Sequence, residues 1–317
     1  MYNKYEKRKN SVVRRFLLIF PAMLIIMAFT ACGGKKASQT VEAKDLTAKD
    51  ETNPEETPAA EEKKMLTFTE EDRCRGDLIL VNADHAYNFD ANTSLSPVRI
   101  LDAQHYDYPV SNEDFRLSPD IMHALDQMIE DCDEAMGTTY TSVSSAWRSK
   151  EYQQNVWDEM AELYGEDYSE KYVAVPGYSE HHTGLALDLG IIYDDGSEGT
   201  FSESENAVWM ADHSYLYGFI RRYAEDKTEI TGISNEAWHF RYVGQAHAAY
   251  MYQHNLCLEE YLQELRANTS PEHPLEIDAD GKHYSVYYVS GESCPEPEAS
   301  FMISGDNCGG IIVTVGH

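Results

Sequence analysis

Apolar side chains recur along the chain with two different periods, and the periods predict its elements. Ile121, Leu125, Met128, Ile129, Cys132 and Met136 fall on one stripe of a 3.6-residue repeat, which predicts a helix. Ser118 is placed as its N-cap, Pro119 fits the first helical position, and Gly137 stops it. Thr139 to Ser145 alternates with a period of two and predicts a strand, as does the short apolar run Asp77–Val81. A second helix is expected from Ser149, carrying Tyr152, Val156, Trp157 and Met160. Further on, the pattern predicts a helix around Asn206–Leu216, strands near Gly218–Tyr223 and Trp238–Val243, and helices after Gly244. Helices and strands are interspersed without regular βαβ spacing, so the fold class is α+β. After about Ser270 the texture changes. His283–Val289 and Ile311–Val315 are strand-like with Gly, Pro and Ser between them, a small β-rich appendage spanning 269–317.

The two ends of the polypeptide read differently from its middle. Lys4, Lys7, Arg8, Lys9, Arg14 and Arg15 form a basic leader, followed by the apolar run Phe16–Phe29, short for a membrane span and interrupted by Pro21. The run ends in Phe29-Thr30-Ala31-Cys32-Gly33, which resembles a bacterial lipobox with Cys32 as the lipidated residue. Residues 1–32 are therefore expected to be an export signal and lipid anchor, with an uncleaved signal anchor as the alternative. Both place the rest of the protein at the outer face of a bacterial cytoplasmic membrane. Residues 33–64 are rich in Lys, Glu, Ala, Thr and Pro, lack large apolar side chains, and read as a disordered tether. The segment 65–268 remains as the main folded domain.

Charge narrows the partners. The 317 residues carry a formal net charge of −30, which argues against nucleic-acid binding because phosphate recognition relies on Lys and Arg. Cysteine usage suits an exported protein without defining a disulfide framework. Cys294 and Cys308 flank a short segment and are spaced to staple a hairpin, Cys132 lies on a core stripe, and none has zinc-finger spacing.

Two strings carry the candidate chemistry: Ser179-Glu180-His181-His182-Thr183-Gly184-Leu185-Ala186-Leu187-Asp188, and Glu236-Ala237-Trp238-His239. A hydrolytic zinc site takes three protein ligands, leaves a fourth position for water, and needs a carboxylate base nearby. His181, Asp188 and His239 can fill the ligand roles, with Glu236 as base. His181 and Asp188 lie seven apart, so a loop carrying His181 and leading into a strand with Asp188 would aim both at one ion. Glu236 and His239, three apart, are expected on one side of a short turn. Taken singly, each of these residues is as readily a surface or capping residue. The combination favours a site.

Three motifs in order extend this reading. Ser145-Ala146-Trp147-Arg148-Ser149 is followed by Gln153, then comes Pro176-Gly177-Tyr178-Ser179-Glu180-His181 through Asp188, then Glu236-x-Trp238-His239-x-Arg241-Tyr242-Val243-Gly244. The region from about Ser144 to Gly244 resembles the VanY-type zinc D-alanyl-D-alanine carboxypeptidases. That superfamily also holds D-Ala-D-Ala dipeptidases, phage endolysins and the non-enzymatic Hedgehog fold. The resemblance implies a small antiparallel sheet flanked by helices and carrying one Zn2+ per chain, held by His181, Asp188 and His239. It implies Glu236 as general base and Arg148 as the cation facing the scissile carbonyl or the substrate carboxylate. Ser179 and Gln153 become substrate-side candidates, Gln153 alternatively orienting Arg148. His182 is expected to point away from the ion, and Trp147 and Trp238 to wall the site. Ala237 stands where the family often has Pro, which touches the pocket wall and bears on fine specificity.

The implied activity is removal of the terminal D-Ala from a peptidoglycan stem peptide or its lipid-linked precursor. A dipeptidase or stem-peptide endopeptidase of the same superfamily is the alternative. A metal-bearing binding lipoprotein without catalysis is the reading from another class, and it should lack a base where Glu236 stands.

Overall fold

The computed structural model describes residues 64–137, 139–193 and 195–317. The export signal, Cys32 and residues 33–63 of the tether lie outside the described residues. The helix expected after Ser118 opens as a tight 3-10 turn over Pro119–Ile121 and continues as α1, Met122–Met136. Pro119 occupies its first position, but the Ser118 hydroxyl turns to Asp120 instead of capping the helix backbone. Gly137 closes α1 at φ 76°, a left-handed conformation that favours glycine. Leu125, Met128, Ile129 and Cys132 are fully buried, so the stripe faces the core as its spacing predicts.

The stripe packs against an antiparallel sheet. Its main strands are β1 (Thr139–Ser145), β2 (Ala186–Tyr193), β3 (Phe219–Tyr223) and β4 (Glu236–Tyr242), in the spatial order β1-β2-β4-β3, with the short strand Glu198–Gly199 added to β2. Val143, Leu187, Leu189, Phe219 and Phe240 meet α1 in one core, joined by Met210 from α4 (Glu205–His213). Between β1 and β2 run α2 (Lys150–Tyr164), capped by the Ser149 hydroxyl, and the short α3 (Glu166–Tyr172).

A second core shows how the two ends of the described chain are tied. Helices α5 (Gln245–His254) and α6 (Leu258–Asn268) pack on a sheet ordered β7-β8-β6-β5. Its strands are β5 (Leu275–Ala279), β6 (Lys282–Val289), β7 (Phe301–Gly305) and β8 (Ile311–Gly316). Leu78, Leu80, Ile220 and Val243 enter the same cluster, so residues 269–317 bury their apolar face against the domain before them. Among the described residues all five cysteines are free, Cys294 and Cys308 included, so no bond staples that hairpin.

Two local expectations are corrected. Asp77–Val81 is not a strand: Leu78, Ile79, Leu80 and Val81 are buried, but their backbone partners are scattered. The Arg241 guanidinium donates to the carbonyls of Asp77 and Ile79, Leu78 N–H donates to the Ser304 hydroxyl, and Leu80 N–H donates to the Asp306 carbonyl. An apolar run thus satisfies its backbone without a ladder. Glu236 and His239 lie on strand β4, not on a turn. The pairing of β3 with β4 is irregular, running from Arg221↔Phe240 to Tyr223↔Glu236, so one residue of β3 faces three of β4. That bulge breaks strict alternation and lets residues three apart reach the same cavity.

Candidate active site

Register alone brings two of the candidate ligands together. Asp188 of β2 pairs with His239 of β4 on one side and with Ser145 of β1 on the other. His181 arrives from a 3-10 turn, Glu180–Thr183, that leads through Gly184 into β2. Gly184 has φ 70°, and a Cβ there would meet the Ser118 backbone nitrogen at 3.2 Å, so the turn seats tightly against the start of α1.

Hydrogen bonds fix the orientation of both rings. His181 Nδ1 donates to the Ala146 carbonyl at 2.7 Å, which leaves Nε2 with its lone pair facing Asp188 Oδ2 at 3.5 Å. His239 Nδ1 is 2.9 Å from Asp188 Oδ1, and the two imidazoles stand nearly perpendicular with centroids 5.0 Å apart. One ligand atom from each of His181, Asp188 and His239 lies within 4.8 Å of the others, close enough to share one ion. Burial and the Arg148 charge push His181 down to about 4, so its ring is neutral and free to ligate. Burial opposes charge on His239 as well. Hydrogen bonds to Asp188 and Glu180 outweigh it and raise the ring to about 9, so a proton stands where a cation would replace it.

Glu236 completes the group. Its Oε2 lies 3.9 Å from His239 Nδ1, and burial pushes the carboxyl up to about 7, against the pull of the His239 charge. A carboxyl that burial holds near 7 despite these charges suits proton transfer. Arg148 reaches the same cavity, forking to the Ser145 hydroxyl at 2.7 and 3.2 Å and to Asp188 Oδ2 at 3.2 Å. Gln153 is fully buried and its amide is spent: the oxygen accepts from Arg148 at 3.1 Å and the nitrogen donates to the Ala174 carbonyl at 2.8 Å. It stands behind Arg148 and does not line the cavity. Ser179 does line it, as does Trp238. Trp147 lies outside, and His182 points away as expected. The His182 ring bridges Gly177 N–H and the Arg148 carbonyl, which ties the two loops together.

These side chains surround a cavity of about 170 Å³. A larger hollow of about 570 Å³ lies around Arg266, Ser290 and Cys308. It holds no comparable set of converging donors, so the smaller cavity is the candidate active site.

Sequence reasoning passed over the residues behind the ligands. Glu180 is fully buried, and its Oε2 lies 3.4 Å from His239 Nε2 while Oε1 accepts from Arg222 at 2.8 Å and from Arg241 at 3.2 Å. Arg222 in turn grips Glu259 with two hydrogen bonds of 2.9 and 2.6 Å. Burial alone would raise the Glu180 carboxyl, but the two guanidiniums hold it well below the usual range. Alternation gave no signal, because β3 is buried at Phe219, Ile220, Arg222 and Tyr223 alike, and an unpaired charge at Arg222 is not tolerated there.

Comparisons with known proteins cover the same segment. The family model described as VanY, D-alanyl-D-alanine carboxypeptidase, matches residues 114–245, which include every side chain placed around the cavity. A D-alanyl-D-alanine carboxypeptidase of Enterococcus faecium is 30% identical over 310 residues, covering 95% of both chains. The bifunctional D-Ala-D-Ala dipeptidase and carboxypeptidase VanXYC of Enterococcus gallinarum is 35% identical, over 48% of this chain and 80% of its own. Among solved structures, the vancomycin-resistance D,D-dipeptidase VanXYg in complex with a D-Ala-D-Ala phosphinate analogue superposes with a TM-score of 0.70 at 31% identity. It covers 80% of this chain and 99% of that one. With the motifs, the fold and a relative matched nearly end to end in agreement, the chain belongs to the VanY family of D-alanyl-D-alanine carboxypeptidases.

Proposed function

We propose that the protein is a zinc D,D-carboxypeptidase that removes the terminal D-alanine of peptidoglycan stem pentapeptides at the outer face of the membrane. The observation that carries this reading is the convergence of His181, Asp188 and His239 on one point, with Glu236 buried beside them. Two imidazoles and one carboxylate are a donor set that zinc accepts, with a coordination position left open. Zinc bound there supplies a Lewis acid for the scissile carbonyl and lowers the pKa of water.

The chain's own groups do the rest. Glu236 takes the proton of the attacking water and delivers it to the departing amine, a task matched to a carboxyl held near 7. Arg148 lines the cavity as a fixed positive charge, set by Ser145 and Gln153, where negative charge develops on the carbonyl oxygen or rests on the substrate carboxylate. Ser179 offers a hydroxyl on the same wall. The lipobox-like Cys32 and the tether support an anchored enzyme working on substrate above the membrane.

A second reading, hydrolysis of free D-Ala-D-Ala, is favoured by the likeness to VanXYg and to the bifunctional VanXYC. Incubating the zinc-loaded ectodomain with a muropeptide pentapeptide and, separately, with D-Ala-D-Ala separates the two by mass spectrometry. Release of one alanine from the pentapeptide is expected. Cleavage of the dipeptide alone would reverse the assignment, and cleavage of neither would end it.

A further inference from the structure

A cavity of about 170 Å³ is well under the roughly 300–1,000 Å³ of sites that engulf a drug-sized ligand. It takes the end of a peptide, so the rest of a longer substrate lies on its rim. One side of that rim is aromatic. Tyr168 and Tyr172, both on α3, line the cavity together with His181 and Glu236, and Tyr164 at the end of α2 continues the row outward. Ring centroids are 4.8 Å apart from Tyr164 to Tyr168 and 4.7 Å from Tyr168 to Tyr172, with the planes inclined by 36° in both pairs. The outermost ring, Tyr164, is 63% exposed, and the other two remain over a third exposed. Three tyrosines in a tilted row left open to solvent do not serve the core, and their place at the cavity mouth points to a ligand.

Charge and shape select its class. Glu162, Glu166 and Asp167 are exposed in the same stretch, which disfavours an anion. A pyranose is neutral and presents flat C–H faces of the kind that rest on tyrosine rings. Stem peptides hang from a sugar of the wall glycan. Four extended residues between that sugar and the scissile bond span roughly 13–14 Å, so with the C-terminus in the cavity the sugar lies on the surface beyond it.

We propose that the row from Tyr172 through Tyr168 to Tyr164 guides the stem peptide out of the cavity, with Tyr164 at its exposed outer end as the carbohydrate platform that seats the sugar at the head of the peptide while the C-terminus occupies the cavity. This rests on the carboxypeptidase reading above. The platform makes the enzyme prefer glycan-linked peptide over free peptide through KM, with kcat set by the groups around Glu236.

Tyr164 is the separable member, because it does not line the cavity. The test measures kcat and KM of the zinc-loaded protein on a free pentapeptide and on the same peptide carrying the N-acetylglucosaminyl-N-acetylmuramyl disaccharide. Wild type is expected to show the lower KM on the glycosylated substrate. Tyr164→Ala should raise that KM about 2- to 10-fold and leave kcat and the free-peptide KM unchanged, and Tyr164→Trp should restore the preference. Equal KM for both substrates in wild type would overturn the platform alone. So would a Tyr164→Ala effect that is absent, or that is the same on both. Failure of wild type to cut either substrate would instead overturn the carboxypeptidase reading and the platform that rests on it.

Discussion

Two clusters of ionisable side chains meet at His239, and they are built to opposite ends. On its Nδ1 side, His181, Asp188, Glu236 and Arg148 face a cavity. On its Nε2 side, Arg222, Arg241 and Glu259 gather around Glu180, which also borders the cavity, and the four are matched charge for charge. The inner cluster is complete as it stands: each buried carboxylate accepts from a guanidinium, and Arg241 spends its remaining donors on backbone carbonyls. The outer cluster is different. Two imidazoles and two carboxyls crowd one point with Arg148 as the nearby cation, and burial and charge lower His181 but raise Glu236 and His239. Buried charge is tolerated only when compensated, so the cluster that opens on a cavity and holds a Glu236 carboxyl raised by burial is the one shaped for something from outside.

Removing Glu236 should break the outer cluster's chemistry while sparing its binding. Glu236→Gln is expected to lower kcat by about 10²- to 10⁴-fold with zinc content unchanged, read by alanine release and metal analysis of the same preparation. Arg148→Lys keeps the charge but loses the fork to Ser145, Asp188 and Gln153. A drop in kcat/KM of roughly 10²-fold is expected, and full activity would show that charge alone suffices.

Glu180→Gln tests whether the inner cluster serves the outer one. Zinc affinity, measured by chelator competition, should fall about 10- to 100-fold because His239 loses the carboxylate behind its Nε2. Unfolding should become easier by about 3–5 kcal/mol, since two buried guanidiniums lose a partner. A variant that loses stability but binds zinc as tightly as wild type would show that the two clusters are independent.

The smallest effect concerns a carboxylate in neither cluster. Asp133 is buried beneath β1, accepts from Thr141 N–H at 2.8 Å and from the Tyr106 hydroxyl, and is raised by burial to about 7. Its folded-state value lies above its unfolded value near 3.8, so the folded chain keeps a proton that the unfolded chain gives up. Its contribution is full below about pH 4 and is lost as pH rises towards 7. Asp133→Asn should flatten that part of the stability–pH curve by a few kcal/mol at most, as followed by denaturant melts at several pH values.

What the sequence revealed follows from the physics of each feature. Alternation along Leu185–Leu189 put Asp188 on a strand, and the spacing to His181 required a turn before it, as the structure has it. The helix stripe from Ile121 to Cys132 was legible because one face had to be buried. The bulge at Glu236–His239 was not, because irregular pairing depends on the neighbouring strand and leaves no local period. Asp77–Val81 misled because an apolar run reports burial and not the identity of its hydrogen-bond partners. Glu180 sat in plain view beside His181. Its role depends on Arg222, Arg241 and Glu259, which are 42, 61 and 79 positions away in sequence, too distant for any local pattern to join them.

The most direct test of the account is a crystal structure of the zinc-loaded ectodomain with anomalous scattering recorded at the zinc edge. One peak per chain is predicted, bounded by His181 Nε2, Asp188 and His239 Nδ1, with Glu236 nearby but not coordinated. A peak elsewhere, no peak, or a zinc ion ligated by Glu236 would contradict it.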